Sequence, residues 1–473
     1  MEKKRNRRPY LEGVEITAFG SEGKALGKVN DQVVFVPYAA PGDIVDIQVS
    51  KKRRSYMEGE VTRFHQYSSL REQPFCKHFT ICGGCRWQHV PYSVQLEFKQ
   101  QQVEDQLLRI GRLSLPQVSA IIAAGRTTQY RNKLEYSFSN MKWLTDYTSD
   151  TDFSRRDMDA LGFHPPGRFD RILDIEECFL QDTLTNDIRN YVKSLAKAQG
   201  YPFFNARRKT GLLRNLLLRN NLMGEWMVVL VLSEKNEKAI AGIFDPLREK
   251  FPQIISQMYI INEKPNDSLD GLTATTYSGR PFLTERLGGL DFKISPLSFF
   301  QTNSLQAFNL YEHIRQFAGL TGQETVYDLY TGTGSIALYI AAKARKVIGI
   351  EYVPEAIQDA RENMQWNGVT NTCFFSGDIT EVLDDAFVSR HGKPSVIITD
   401  PPRAGMHKSV VAQILKIKPA RIVYVSCNPA TQARDVALMD ETYAVTKVQP
   451  LDMFPHTHHL ENILLLELKQ PLS

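Results

Sequence analysis

The sequence Y-V-S-C-N-P at residues 424–429 decides the fold. The apolar, β-branched residues 422–425 predict a buried strand, and Asn428-Pro429 predicts a turn at its carboxyl end. Open α/β sheets bind their ligands at this edge, so Cys427 is placed where a reactive thiol could act. A buried, inert thiol is the alternative interpretation, because free cysteine is among the most buried residue types.

The segments around this stretch alternate between strands and helices. The pattern predicts strands at 325–330, 346–351, 372–375, 395–400 and 421–427, helices at 335–344 and 354–366, and a late antiparallel strand at 462–468. This alternation predicts a doubly wound α/β domain, which we place at residues 293–473.

The composition is that of a soluble globular protein with room for two or three cores. The chain has 473 residues, 42% hydrophobic and 23% charged, and a net charge of +4. Basic blocks at residues 3–8 and 51–54 suit a polyanion, although a solvated tail would look the same. There is no apolar run of the roughly 20 residues that span a bilayer and no signal-peptide pattern. We therefore expect a cytoplasmic protein with no membrane contact and no obligate protein partner.

Residues 1–66 predict a small β-barrel domain. Apolar and polar residues alternate from Val14 to Ala18, and we expect turns at Gly20, Gly27 and residues 41–42. Small barrels of this kind bind single-stranded nucleic acid through a basic groove with stacking aromatic side chains. Three aromatic residues near the basic block could stack bases or could belong to the core: Phe35, Tyr38 and Tyr56.

A cysteine-rich segment opens the central region, which we place at residues 67–292. Cys76, Cys82 and Cys85 have the spacing C-x5-C-x2-C, and two glycines allow the backbone to fold tightly. Thiolates select zinc or iron–sulfur centres, and the spacing leaves both open. Cys178 is left as the fourth ligand by elimination, because Cys427 ends a predicted core strand and Cys373 lies inside a predicted apolar strand.

Three other segments of the central region have an expected role. The apolar residues Leu96, Val103, Leu107 and Ile110 recur at helical spacing, so residues 92–109 predict an amphipathic helix, and residues 92–112 are expected to pack on the C-terminal domain. Residues 145–158 predict an exposed insertion. The basic stretch 206–215 could face RNA phosphates or form a solvated turn.

A glycine-rich loop, D-L-Y-T-G-T-G at residues 328–334, follows the first strand of the C-terminal domain. Its glycines would let the backbone approach a ligand near a helix N-terminus, and Glu351 could accept hydrogen bonds from ribose hydroxyls. Continued to Ala337, the loop also fits the dinucleotide pattern G-x-G-x-x-A. A dinucleotide oxidoreductase is therefore the rival interpretation. Asp328 argues against it, because a carboxylate suits a cationic sulfonium better than a pyrophosphate.

Taken together, five motifs resemble the S-adenosylmethionine-dependent RNA uracil-5 methyltransferases. They are F-F-Q-T-N at 299–303, the loop at 328–334, D-P-P-R at 400–403, S-C-N-P at 426–429 and P-H-T-H-H-L-E at 455–461. The resemblance implies a class I, Rossmann-like methyltransferase domain, an N-terminal TRAM-type barrel, and a central α+β domain with an iron–sulfur site. It implies S-adenosylmethionine and a 4Fe–4S cluster as cofactors, the cluster being held by Cys76, Cys82, Cys85 and Cys178.

The resemblance also assigns roles to single residues. Cys427 matches the family nucleophile and Glu461 the general base. Gln301, Tyr330, Glu351 and Asp400 match positions that line the cofactor and base pocket, Asp378 matches an adenine contact, and Ser335 stands where the family often has Asn. The cysteine pattern and the barrel are similar to the 23S ribosomal RNA branch more than to the tRNA branch.

The chemistry requires these residue types. A thiolate that adds to carbon 6 of uracil makes carbon 5 nucleophilic enough to take a methyl group, and a base must then remove the carbon 5 proton. The target base must leave its stack to reach such a pocket. Two alternatives remain: the same reaction on tRNA, and an RNA-binding protein without catalysis. D-P-P motifs also occur in amino-group methyltransferases, but these need no thiol.

Overall fold

The N-terminal part of the chain is a closed five-stranded barrel. The computed structural model describes residues 8–146, 152 and 156–470. The barrel strands are β1 (Tyr10–Phe19), β2 (Ala25–Val29), β3 (Gln32–Val36), β4 (Ile44–Lys52) and β5 (Tyr56–Gln66), joined in the order β1-β2-β3-β5-β4. Successive side chains of a strand point to opposite faces, and the barrel core accordingly contains Val14 and Ile16 of β1.

One of the predicted turns is wrong. Gly27 lies inside β2, where it is paired with Ile16 of β1. A Cβ atom at Gly27 would lie 2.6 Å from the Glu15 carbonyl oxygen and 2.8 Å from Cγ1 of Val14. The glycine is therefore required by the close approach of two strands. The other turns are found where they are expected, Gly20 directly after β1 and residues 41–42 before β4.

The central region is built on a seven-stranded sheet. Its strands are β6 (Lys133–Ser139), β7 (Ala160–Phe163), β8 (Leu173–Asp174), β9 (Leu213–Asn220), β10 (Trp226–Leu232), β11 (Ile254–Ile261) and β12 (Ala274–Gly279). They are ordered β12-β11-β10-β9-β6-β7-β8. Helices α2 (Leu184–Ala198) and α3 (Glu237–Lys250) cover one face. Most of the predicted insertion at 145–158 lies outside the described residues.

Helix α1 (Tyr92–Arg109) has the predicted bounds, and Val103 and Leu107 of the predicted apolar stripe are buried as expected, whereas Leu96 is half-buried. Its buried residues are Gln95, Lys99, Val103 and Leu107, which are spaced by four along the helix. Ile110, expected in the apolar stripe, is 52% exposed. Val103 and Leu107 pack into a core of the C-terminal domain, so α1 is attached to that domain rather than to the central sheet.

A hairpin of β13 (Leu283–Leu287) and β14 (Leu290–Ile294) leads into the C-terminal domain. The strands that follow are β15 (Thr325–Leu329), β16 (Lys346–Glu351), β17 (Thr372–Ser376), β18 (Val396–Thr399), β19 (Arg421–Ser426), β20 (Tyr443–Leu451) and β21 (Glu461–Leu468). The helices are α4 (Ser304–Ala318), α5 (Ser335–Ala341), α6 (Pro354–Trp366), α7 (Ile379–Val382), α8 (Asp385–His391), α9 (Lys408–Ile417) and α10 (Pro429–Ala437).

The C-terminal sheet is doubly wound, with the order β17-β16-β15-β18-β19-β21-β20. Strands β15 to β19 are parallel, and β21 pairs antiparallel with both β19 and β20. The strand order reverses between the parallel neighbours β15 and β18. The carboxyl ends of these two strands therefore form the expected ligand crevice. This arrangement confirms the predicted fold class, including the antiparallel closing strand.

Burial explains why the C-terminal strands read as continuous apolar runs. All four residues of β18 are buried, as are the last five of β19, because helices cover both faces of the parallel sheet. None of the described helices has the length and apolar character of a transmembrane span.

Candidate active site

Cys427 lies between the end of β19 and the start of α10. Asn428 caps α10, and its side chain accepts a hydrogen bond from the backbone N–H of Ala430 at 3.2 Å. Pro429 occupies the first helical turn, where its missing N–H has no cost. The strand and the cap together hold the half-buried thiol of Cys427 at the ligand-binding edge of the sheet.

Glu461 begins the strand that pairs with β19. Ser426 of β19 is registered with Asn462 of β21, so Cys427 and Glu461 leave the two strands at the same end. Glu461 is only 5% exposed. The thiol and the carboxyl group therefore face the same part of the crevice.

A buried amide pair fixes these two strand ends to α10. Asn462 donates from Nδ2 to Oε1 of Gln432 at 2.7 Å, and Gln432 donates to the carbonyl oxygens of Tyr424 at 2.9 Å and Asn462 at 3.2 Å. Buried amides are costly unless they are bonded, so this pair specifies one register of helix and strands. Neither residue was predicted from the sequence, where only Asn462, a polar residue at the start of the apolar run 463–466, carries a signal.

Asp400 follows β18 and acts electrostatically on both Glu461 and the Cys427 thiol. Burial raises the pKa of Asp400 to about 7 and the pKa of Glu461 well above its usual value, and the charge of Asp400 adds to the second shift. Burial, Glu461 and Asp400 together raise the pKa of the Cys427 thiol to about 11. These buried acidic groups favour an uncharged ligand such as a neutral nucleobase, and they oppose the entry of a further anion.

The glycine-rich loop has a strained backbone next to a buried carboxyl group. Tyr330 has φ of 62°, and Gly332 and Gly334 have φ of 56° and 76°. Asp328 is fully buried and accepts a hydrogen bond from Thr331, whereas its Oδ1 atom has no partner. Burial, with a contribution from the carboxylates of Asp400 and Glu351, raises the pKa of Asp328 to about 7, and the hydrogen bond from Thr331 opposes this shift.

Glu351 lies against the same loop. Its carboxylate accepts hydrogen bonds from the backbone N–H groups of Gly332 at 3.1 Å and Val353 at 3.0 Å. A second lone pair on each oxygen remains for ligand hydroxyl groups. The unpartnered Oδ1 of Asp328, the open glycine loop and this carboxylate fit the sulfonium and ribose of S-adenosylmethionine.

The remaining predicted cofactor residues lie along the same crevice. Gln301 precedes α4 and is 8% exposed, and Ser335 shares a 2.8 Å hydrogen bond with the hydroxyl group of Tyr311. Asp378 caps α7 by accepting from the backbone N–H of Thr380 at 2.8 Å, which lowers its pKa. Burial raises the pKa of Tyr330, and the negative charges of Asp378 and Glu351 contribute to the shift.

The four predicted metal ligands line one cavity of about 620 Å³. They are Cys76, Cys82, Cys85 and Cys178. Burial raises the pKa of Cys82 to about 11 and that of Cys85 to about 12, and the other cysteines contribute to both shifts. Thus one cavity is lined by four thiols whose positions in the sequence extend from residue 76 to residue 178. Nevertheless, no three His, Cys, Asp or Glu side chains among the described residues converge closely enough to hold a metal ion.

The loop before Glu461 is anchored on helix α1. The buried Lys99 forms an ion pair with Asp452, and Gln95 accepts from the backbone N–H of His456 at 2.9 Å. Burial lowers the pKa values of His456 and His459 to about 4, so these imidazoles are neutral at pH 7. The sequence analysis missed this anchor, although polar residues at four-residue spacing in the buried stripe of α1 were a usable signal.

Comparison with known proteins identifies two parts of the chain. Residues 288–469 match the family described as tRNA (Uracil-5-)-methyltransferase, and residues 12–62 match the TRAM domain. Two full-length relatives are each named "Uncharacterized RNA methyltransferase". The one from Bacteroides thetaiotaomicron is 52% identical over 95% of this chain and 100% of its own length. The one from Porphyromonas gingivalis is 50% identical over 96% and 99%.

A solved structure shares the whole architecture. It is the tRNA (uracil-54, C5)-methyltransferase of Pyrococcus abyssi in complex with S-adenosyl-L-homocysteine. It is 28% identical, with a TM-score of 0.75, over 96% of this chain and 100% of that one. The similarity covers the barrel, the central region and the C-terminal domain alike.

Proposed function

The chain belongs to the S-adenosylmethionine-dependent RNA uracil-5-methyltransferase family, and on this premise we propose that it methylates carbon 5 of a specific uridine in 23S ribosomal RNA through a covalent adduct of Cys427. The observation that carries the proposal is the pairing of β19 with β21, which directs Cys427 and Glu461 into one pocket. S-adenosylmethionine, when bound, supplies an electrophilic methyl group.

In the first step, the Cys427 thiolate forms a bond to carbon 6 of uracil, and the electron pair of the 5,6 double bond moves to carbon 5 and the carbonyl group. Asp400 hydrogen-bonds the uracil edge and fixes the ring against the thiol. Because the pKa of Cys427 is about 11, the free enzyme holds little thiolate at pH 7. The Cys427 thiol therefore gives its proton to solvent as its sulfur bonds to carbon 6.

In the second step, carbon 5 bonds to the methyl group that bound S-adenosylmethionine would supply, and the S–CH3 bond would break to leave neutral S-adenosylhomocysteine. Carbon 5 still carries its proton. Glu461 removes that proton, the 5,6 double bond reforms, and the Cys427 thiolate leaves carbon 6. Burial makes Glu461 a stronger base than an exposed carboxylate, because its pKa is raised. The anchored loop at 452–461 holds this carboxylate in place.

RNA is the partner that the barrel and its basic strands suit. Lys51, Lys52, Arg53 and Arg54 lie at the end of β4 and in the turn after it, and the half-buried ring of Tyr56 is within cation–π distance of Lys51, at 5.6 Å. We further propose that Cys76, Cys82, Cys85 and Cys178 hold a 4Fe–4S cluster with a structural or RNA-contacting role. Methyl transfer consumes no electron, so no redox step is assigned to it.

A second candidate is the same reaction on tRNA. The structural similarity to a tRNA (uracil-54, C5)-methyltransferase favours it, whereas the cysteine set and the barrel favour ribosomal RNA through the family resemblance.

The test supplies the purified protein with S-adenosylmethionine carrying a labelled methyl group and, separately, undermodified 23S rRNA and tRNA. We expect 5-methyluridine in the rRNA, and none with Cys427→Ala. Labelling of tRNA alone would select the second candidate, and full turnover by Cys427→Ala would refute the covalent scheme.

A further inference from the structure

Residues 131–133 connect the cysteine cavity to the segment that contains Gln301. Asn132 donates from Nδ2 to the carbonyl oxygen of Gln301 and to Oγ of Ser304, both at 2.9 Å. Side chains alternate along extended backbone, so the neighbours of Asn132 point the other way. Arg131 and Lys133 indeed line the cavity of about 620 Å³ that also contains the four cysteines.

Glu135 and Glu177 line the same cavity, yet neither carboxylate forms an ion pair with Arg131 or Lys133 in the part of the chain that the structure describes. Across the described ranges of the chain, neither cationic side chain forms an ion pair or donates a hydrogen bond, and the Arg131 Nε atom is buried without an acceptor. Lys133 is also registered directly opposite Arg219 of β9, another buried cation. Like charges directly opposite on neighbouring strands destabilise a sheet, so this cluster is maintained at a cost to the fold.

The pKa of Lys133 is lowered in these surroundings. Burial, Arg219 and Arg131 lower the pKa of Lys133 to about 8, and Glu135 opposes the shift. The Arg219 guanidinium donates hydrogen bonds to the carbonyl oxygens of Ser295 and Ser298, at 3.1 and 2.7 Å. An anion in the cavity would relieve the repulsion between the other two cations.

The position of the cluster indicates which anion. Thr302, the neighbour of Gln301, lines the same cavity, and the Arg131 guanidinium lies 5.7 Å from the ring centre of Phe454 on the loop that leads to Glu461. Arg131 thus lies against the loop that leads to Glu461, and the cavity reaches the segment that contains Gln301. The pocket itself contains Asp400 and Glu461 and repels phosphate, so an extruded nucleotide must leave its backbone outside it.

We propose that Arg131 and Lys133 bind the phosphodiester of a nucleotide flanking the extruded uridine. The identification of the anion as RNA rests on the proposed function. Two cations beside one cavity would fix the backbone while the base enters the acidic pocket alone. Charge compensation for the cysteine thiolates is the competing role, since Arg131 also lowers the pKa of Cys178.

The test measures the salt dependence of binding of a fluorescein-labelled oligouridylate 11-mer. Neutralising a phosphate contact to a single strand changes the slope of log Kd against log salt by about 0.7. We expect Lys133→Met and Arg131→Met each to reduce the slope by about that amount and to weaken binding about fivefold at 0.1 M salt. Lys133→Arg should keep the slope. Lys238→Met, which removes an exposed cation of α3, is the matched control and should behave as the unaltered protein.

Unchanged slopes in both methionine variants would overturn the proposal and leave charge compensation as the role of the cations. If Lys133→Met does not fold, Lys133→Gln replaces it with the same expected loss. The binding assay reads no methyl transfer, so its result stands whether or not uridine is methylated. With methylated RNA as the readout, the methionine variants should raise KM by a larger factor than they lower kcat.

Discussion

Lys99 of helix α1 forms an ion pair with Asp452 at 2.6 Å, and both side chains are fully buried. Lys99 also donates to the carbonyl oxygen of Phe454 at 3.1 Å, and the hydroxyl group of Tyr92 donates to the second carboxylate oxygen of Asp452 at 2.9 Å. Asp452 follows β20, and the chain from it leads through the histidine loop to Glu461. The pair therefore ties the proposed general base to a helix more than 350 residues earlier in the sequence.

The first prediction concerns this pair. Lys99→Met leaves Asp452 buried and unpaired, and breaking a buried pair in this way costs about 3–5 kcal/mol. We expect the free energy of unfolding in urea to fall by that amount, and methyl transfer to fall more than cofactor binding because Glu461 loses its support. Lys416→Met, which removes an exposed partner of Asp385, is the control and should change stability by less than about 0.5 kcal/mol. Equal effects of the two variants would contradict the role of Lys99.

The second prediction concerns pH. The pKa values of Asp328 and Asp400 are both about 7, so these carboxyl groups are mainly neutral at pH 6 and ionised at pH 8. S-adenosylmethionine is a cation at its sulfonium and should bind about tenfold more tightly at pH 8, the equivalent of about 1.4 kcal/mol. S-adenosylhomocysteine lacks that charge and should show no such change. Calorimetric titration of both ligands, with Asp328→Asn as the variant that should flatten the first curve, checks the sign.

The third prediction compares two glycines of the cofactor loop. Both have positive φ, so alanine at either position costs about 1–2 kcal/mol in backbone conformation. A Cβ atom at Gly334 would also lie 2.7 Å from the ring of Phe374, whereas nothing lies within 4 Å of one at Gly332. Gly334→Ala should therefore lower the melting temperature and the affinity for S-adenosylhomocysteine more than Gly332→Ala. The reverse order would mean that the loop packs differently from the described conformation.

The sequence predicted the parts of this fold that depend on local periodicity. Strand β19 and the closing strand β21 were readable because apolar runs and turn residues mark them directly. The buried face of α1 was predicted only in part. Val103 and Leu107 were expected in it, whereas Gln95 and Lys99 are polar and only tertiary partners at residues 452–456 explain their burial. Gly27 was mistaken for a turn for a similar reason, since its need for a missing Cβ arises from a strand that pairs with it.

The fourth prediction tests the division of roles in the pocket. Glu461→Gln keeps the shape of the side chain and removes the base, so the carbon 5 proton cannot leave after methylation. We expect a covalent protein–RNA adduct through Cys427 to accumulate with substrate RNA and S-adenosylmethionine, visible as a slower band in a denaturing gel. The double variant with Cys427→Ala should form none. Absence of the adduct from an otherwise RNA-binding Glu461→Gln protein would count against the assigned roles.

The fifth prediction concerns the cysteine cavity. Its four thiols have one common cavity and pKa values raised by burial, so they would have to move together and lose their protons to ligate a cluster. We expect protein purified without oxygen to be brown and to contain about four iron and four sulfide per chain. Cys178→Ser should lose the colour, whereas Cys373→Ser, at an exposed position of β17, should keep it. A colourless protein with one zinc per chain would show that the cavity holds a different metal and would overturn the cluster assignment.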